Sequence, residues 1–232
     1  MLSSPLARQP SPQNLNQSPG FAESMTKIGY QLLSKLPTTS INLIQLENLN
    51  TVEELRSKFP SGPIVACDFY LKGAENQELS SSGFKFNAAD ILNLDHHAPH
   101  ATMYRFVSSG NLAIDYVRKN GPVPKEVHVV INHTDCDSIL SSLIISGLLP
   151  PEDVFGDAVI AADHLGLRNP ISDLLQALDS RRDINFSARN LGLLLTGRSL
   201  EVSAQRLLSS RMQGREETTE AIRSQLGSFS GK

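Results

Sequence analysis

The stretch "KEVHVVINHTDCDSILSSLIISGLL", residues 125 to 149, decides the fold. Its opening, "KEVHVVINH", places Val127, Val129, Val130 and Ile131 in near-continuous succession. Such a run suits a strand covered on both faces, as in a parallel sheet. Its second half, "DSILSSLIISGLL", has helical length and is apolar on most faces. Between them, residues 133 to 137 read "HTDCD", so a buried strand meets a buried helix across a short link crowded with ionisable groups. In open α/β sheets, ligands collect just beyond the carboxyl ends of the strands.

Working outward, the same alternation recurs. "SINLIQL" (40 to 46), "GPIVACDFYL" (62 to 71) and "DILNLDHH" (90 to 97) read as further strands. "TVEELRSKF" has helical spacing with Thr51 as N-cap, and "SSGNLAIDYVRKNG" reads as a helix closed by Gly121. "AVIAADHLG" fits a strand or a helix, and residues 151 to 213 otherwise show helical stretches and no obvious strand. The expected fold class is α/β: a doubly wound, mainly parallel sheet with a helical C-terminal part. Residues 1 to 25, rich in Ser, Pro, Gln and Asn, read as a disordered tail. Residues 26 to 215 read as a single α/β domain and 216 to 232 as a polar tail, a frayed helix followed by a short end.

Composition narrows the function. The 232 residues carry a formal net charge of −3, so no global basic field is present to grip long nucleic acid. Aromatic content of 6% and the absence of Trp argue against a stacking platform for single strands. No apolar run reaches the roughly 18 residues of a membrane span. The two cysteines, Cys67 and Cys136, form neither a disulfide framework nor a zinc ribbon and suit a reducing, cytoplasmic compartment. An organelle transit peptide is the alternative reading of residues 1 to 25, but the segment lacks the usual arginines.

Four strand or helix ends finish in candidate ligands. "PIVACD" delivers Asp68, "ILNLDHH" delivers Asp95, His96 and His97, "VVINHTDCD" delivers His133, Asp135 and Asp137, and "AVIAADH" delivers Asp163 and His164. Converging carboxylates repel one another unless a cation or proton intervenes, so acids interspersed with imidazoles point to bound metal. An oxygen and nitrogen donor set suits Mn²⁺ or Mg²⁺ better than structural zinc. Some of these residues have plainer readings. Asp68 is as often a turn or cap as a ligand. His100 reads as a polar loop residue, His128 as a satisfied sheet histidine and His164 as a helix cap. Cys67 and Cys136 read as packing residues.

Asp95-His96-His97 at a strand end resembles the signature of the DHH phosphoesterase superfamily. "VVINHTDCDSILSSLIISG" resembles that superfamily's H-x-D-x-D strand-to-helix motif, and "VIAADHLGLRN" its later Asp motif. The motif order differs from the common one: Asp68 and D-H-H precede the D-x-D run, which is what a permuted sheet would give. The resemblance implies a metal-dependent phosphohydrolase with two divalent ions, Mn²⁺ first and Mg²⁺ or Co²⁺ as alternatives, bridged by Asp68. His133 and Asp135 would hold one ion; Asp137, His96 and Asp163 would hold the other. His97 would face the substrate phosphate as a catalytic group, with Asp95 orienting the histidines.

Phosphate also needs counter-charge and donors. Ser108, Ser109 and Gly110 are expected at a helix N-terminus, an anion seat in which Ser109 would bind substrate, and Arg168 is the best placed of the arginine clamps. Most members of the superfamily carry a second substrate-binding domain with a Gly-Gly-Gly-His type signature, and nothing after residue 165 resembles it. The expected partner is therefore a small phosphorylated substrate, with no long nucleic acid and no membrane. The helices from 165 to 215 are expected to cover the site or make a homodimer contact.

Overall fold

A computed structural model of the chain describes residues 19–36, 41–43, 51–73, 89–97 and 107–229. Four strands, β1 (Ile41–Leu43), β2 (Ile64–Cys67), β3 (Ile91–Leu94) and β4 (His128–Ile131), form one all-parallel sheet in the order β1-β4-β2-β3. β4, the last strand in sequence, enters between β1 and β2. Ala66 therefore pairs with Asn93 on one side and Val130 on the other. The strands that end in the ionisable residues are thus neighbours, and their carboxyl ends lie along one edge of the sheet.

Successive strand residues point to opposite faces, and each face has its own core. Ile64, Ala66, Ile91 and Val130 pack with Leu55 of helix α2 (Val52–Lys58). Val65, Cys67, Leu92, Leu94, Val129 and Ile131 pack on the other side with α3 (Ser109–Asn120) and α4 (Cys136–Ile145). Two-faced burial explains the unbroken apolar runs that marked these strands in the sequence. Helix α2 begins in a reciprocal capping box between Thr51 and Glu54, as its sequence suggested. Helix α3 ends at Gly121, whose φ of 77° suits a residue without Cβ.

The ambiguous "AVIAADHLG" segment is helical. Helix α5 (Asp153–Ile160) widens into a π-helical turn, Ala161–Leu165, that closes on left-handed Gly166. Helices α6 (Pro170–Leu178), α7 (Ile184–Leu195) and α8 (Val202–Phe229) complete the C-terminal part. No described helix is long and apolar enough to cross a membrane.

The expected N-terminal tail needs correction at its inner edge. Helix α1 (Pro19–Lys35) starts inside the segment read as disordered, and Met25, Ile28 and Leu32 bury one of its faces. That face packs closely against α7: a Cβ on Gly29 would lie 2.8 Å from the Gly192 carbonyl oxygen, and one on Gly192 would lie 2.8 Å from Leu33 Cγ. The Ser- and Pro-rich composition upstream masks this apolar spacing in the sequence. At the other end, α8 carries residues 216–229 in regular helix.

Candidate metal centre

Asp68 sits immediately after β2 with φ of 60°, a left-handed conformation that Asp adopts more readily than most side chains. Its N–H donates to the Leu94 carbonyl across the sheet at 2.8 Å, which ties the turn to β3. The side chain is 1% exposed, and both oxygens are occupied. Ser109 Oγ donates to Oδ1 at 3.0 Å and Ser138 Oγ donates to Oδ2 at 2.9 Å. Around these oxygens gather His133 Nε2 at 3.1 Å, His96 Nε2 at 3.6 Å and His97 Nδ1 at 3.7 Å. The residue with the plainest alternative reading in the sequence is the hub of the site.

On the β4 side, His133 Nε2 also lies 3.4 Å from Asp135 Oδ1, while its Nδ1 is hydrogen-bonded to Asn132 Oδ1. A ligating imidazole usually gives its other N–H to such an oxygen, which fixes the ring and frees the remaining nitrogen for metal. Burial works against a charge on His133. The hydrogen bonds to Asp135 and Asp68 outweigh it and push the group up to about 10. Asp135 caps α4, accepting from the Ser138 N–H at 2.9 Å. The flanks of His133 are clamped from afar. Asp179 Oδ1 accepts from Thr134 N at 3.1 Å and from Thr134 Oγ1 at 2.8 Å, and the Arg182 guanidinium donates to the Asn132 carbonyl at 2.8 Å.

Asp137, in the first turn of α4, is 1% exposed and answers the question of the anion seat. The N–H groups of Ser109 and Gly110 donate to its two oxygens, at 2.8 and 2.6 Å. The helix N-terminus does hold an anion, but that anion is the protein's own carboxylate. Ser109 is therefore not a substrate seat: its backbone holds Asp137 and its hydroxyl holds Asp68. His96 Nε2 lies 3.4 Å from Asp137 Oδ2. Burial, then the neighbouring His97, lowers the His96 pKa and keeps it neutral, as a metal ligand must be.

Asp95 and His97 form a separate pair. Asp95 Oδ1 accepts from the His97 N–H at 3.1 Å and contacts its Nδ1 at 2.8 Å. That hydrogen bond raises the His97 pKa against burial, and the ring remains half exposed. Asp95 Oδ2 is sealed from solvent with no partner among the described residues.

The π-helical turn presents Asp163 to the same cluster. Burial raises its pKa, with Asp135 and Asp68 adding repulsion, to about 7. Burial and the same kind of repulsion, from Asp68, Asp163 and Asp135, raise Asp137 well above the carboxylate range despite the Gly110 N–H. Raised values of this kind mark crowded negative charge that a bound cation would relieve. Three overlapping sets have ligand atoms within 4.8 Å of one another: Asp68, His96 and His97; Asp68, His133 and Asp135; and His96, Asp137 and Asp163. The donor set, all carboxylate oxygen and imidazole nitrogen, fits hard divalent ions.

The remaining sequence candidates lie elsewhere. Arg168 does not reach the cluster: its Nε donates to Asp173 at 2.9 Å and its Nη2 contacts Met212 Sδ. His164 packs edge-on against His96 at 5.7 Å, with Nε2 3.1 Å from the Val107 carbonyl. His128 stacks on Phe59 and bonds the Ser61 carbonyl, as a sheet histidine should. Cys67 and Cys136 are free and buried. His100 falls outside the described residues.

Ser138, Asp179 and Arg182 were not expected at the site. Ser138 carried a local signal, a small residue opening a helix after D-x-D. The other two act across the fold and leave no local trace. Comparison with known proteins finds no matching family model, no matching curated protein and no matching solved structure.

Proposed function

We propose that this chain is a metal-dependent phosphoesterase that hydrolyses a small phosphoester or phosphoanhydride at a binuclear centre, with Mn²⁺ as the favoured ion. One observation carries the reading: two of the overlapping ligand sets coincide with the two sets that the DHH resemblance implies, and Asp68 stands between them. His133, Asp135 and Asp68 would hold one ion, and His96, Asp137 and Asp163 would hold the other, with Asp68 lying against both sets. Divalent ions bound there would supply Lewis acidity toward phosphoryl oxygens and a more acidic water.

The chain's own groups do the rest. Ser109 and Ser138 hold the Asp68 carboxylate in a fixed plane, so its remaining lone pairs are set before any ligand arrives. Asp95 anchors Nδ1 of His97, leaving Nε2 for the substrate. The raised pKa lets that imidazole carry a proton near neutrality and hand it to the leaving oxygen. The low aromatic content and the lack of a basic field favour a small substrate over a polymer. The two free, buried thiols suit a cytoplasmic enzyme.

The test is product release, with and without Mn²⁺, from pyrophosphate, short oligonucleotides, cyclic dinucleotides and small phosphodiesters, comparing wild type with His96→Ala. Turnover that needs both the metal and His96 supports the reading and ranks the substrates. No turnover by protein that has bound metal overturns it in favour of a binding role.

A further inference from the structure

A second polar site lies away from the metal centre, where α8 passes α6. An open groove of about 670 Å³ is lined by Gln176 of α6 and by Ser210, Arg211, Gly214, Arg215 and Thr218 of α8. No Asp or Glu lines it. Arg215 is already paired, with Nη1 2.6 Å from Asp173 Oδ1 and Nη2 donating to the Gly166 carbonyl, and Asp173 is shared with Arg168. Arg211 and Arg215 are the charged residues among the groove's own lining. Glu216 and Glu220 line only the adjoining hollow beside Arg168.

Arg211 has no such partner. It makes no hydrogen bond or ion pair among the described residues, and its Nε is sealed from solvent without an acceptor. Its Nη atoms are not among the sealed ones, so these are the donors that a ligand in the groove could meet. Ser210 and Gln176 likewise make no side-chain hydrogen bond among the described residues, whereas the Thr218 hydroxyl is spent on the Gly214 carbonyl. Gly214 adds an independent sign. A Cβ there would meet nothing within 4 Å, so neither packing nor a positive φ requires glycine in mid-helix. Glycine is the poorest helix former after proline, and here it adds no side chain to the groove lining.

We propose that this groove binds the phosphate group of a small molecule, with the Arg211 guanidinium as the principal cation and Ser210 and Gln176 as neutral donors. Planar guanidinium donors match oxyanion geometry and lose little order on binding. The proposal does not depend on catalysis at the metal centre.

The test uses the full chain, ¹⁵N-labelled and freed of metal with EDTA, titrated with inorganic phosphate and separately with glycerol 3-phosphate. Without cations the Asp68 cluster repels anions, so the amide shifts report the groove. Saturable shifts at residues 176 and 207–219, at least tenfold weaker in Arg211→Ala and blocked in Gly214→Phe, are expected. Tighter binding of the ester identifies a phosphorylated metabolite, and tighter binding of inorganic phosphate identifies the free ion. Absence of shifts in 207–219, or equal affinity in wild type and Arg211→Ala, overturns the site. If Arg211→Ala disturbs the fold, Gly214→Phe decides, because its side chain enters open space.

Discussion

His133 Nε2 lies 3.1 Å from Asp68 Oδ2, joining the end of β4 to the end of β2. The contact exists because β4 inserts beside β2 in the sheet and because Asp68 turns left-handed as its strand ends. Every other ligand candidate is placed by reference to this pair. Asp135 caps the helix that follows His133, and Asp137, two residues on, is drawn under the N-terminus of α3.

Metal-free protein should lose stability as pH rises. Asp163 is raised from its ordinary value of 3.8 to about 7, so the folded state holds a proton that the unfolded chain has released. That contribution is complete below about 4 and gone above about 7. His133 is raised from 6.5 to about 10, so its contribution is complete below 6.5 and lost as pH climbs through about 10. Both act in the same direction. The thermal midpoint of EDTA-treated protein should fall between pH 6 and pH 9, and added Mn²⁺ should restore more of it at pH 8 than at pH 6. A midpoint that rises across that range contradicts the assignment.

Asp179→Ala removes the acceptor of the Thr134 N–H and one of the two acceptors of its hydroxyl, which keeps the Asp179 carbonyl at 2.9 Å, on a residue that is fully buried. Leaving the buried N–H unpaired should cost on the order of 1–3 kcal/mol in a denaturant titration. Because Thr134 follows His133, Mn²⁺ affinity of the His133 and Asp135 set should fall by about 10- to 100-fold. Asp179→Asn, which keeps an acceptor, should recover most of it. Equal losses in the two variants would mean that the clamp acts only on stability.

Gly110→Ala should damage metal binding more than Ser109→Ala does. A Cβ at 110 would lie 3.1 Å from Asp137 Oδ1 and 3.2 Å from Val159 Cγ2, pressing on a carboxylate that two N–H groups hold in place. Ser109→Ala removes one hydroxyl from Asp68 and leaves both N–H donors intact. Calorimetric Mn²⁺ titrations of the two variants check the ranking.

His97→Ala should separate chemistry from binding. With its Nδ1 tied to Asp95 and its ring half exposed, His97 is free to turn its other nitrogen outward, which is why the proposal gives it the substrate. The variant should retain Mn²⁺ and lose turnover by roughly 10²- to 10⁴-fold, the usual range for a general acid. Steady-state rates at saturating metal test this, and full activity in the variant would remove His97 from the mechanism.

Much of the architecture was legible because it rests on local pattern. Val129–Ile131 and Ile64–Cys67 are apolar on both faces and predicted a parallel sheet; the acids and histidines at their ends then fell where such sheets place ligands. The Thr51 cap and the Gly121 stop were equally local. What escaped was non-local. Ser109 sits at a helix start, as expected, but nothing nearby in sequence says that its N–H and that of Gly110 face Asp137 and not a substrate. Arg168 was favoured for its closeness in sequence to Asp163, whereas Asp173, one turn into α6, takes its guanidinium. The Asp179 and Arg182 clamp on the β4 exit depends entirely on how the C-terminal helices pack back.

The central claim is that Asp68 is shared by two divalent ions, and counting bound metal tests it most directly. Equilibrium dialysis of the EDTA-treated chain against Mn²⁺, with elemental analysis, should give two ions per wild-type chain and at most one in Asp68→Asn. No bound ion in wild type, or an unchanged count in the variant, would contradict the account.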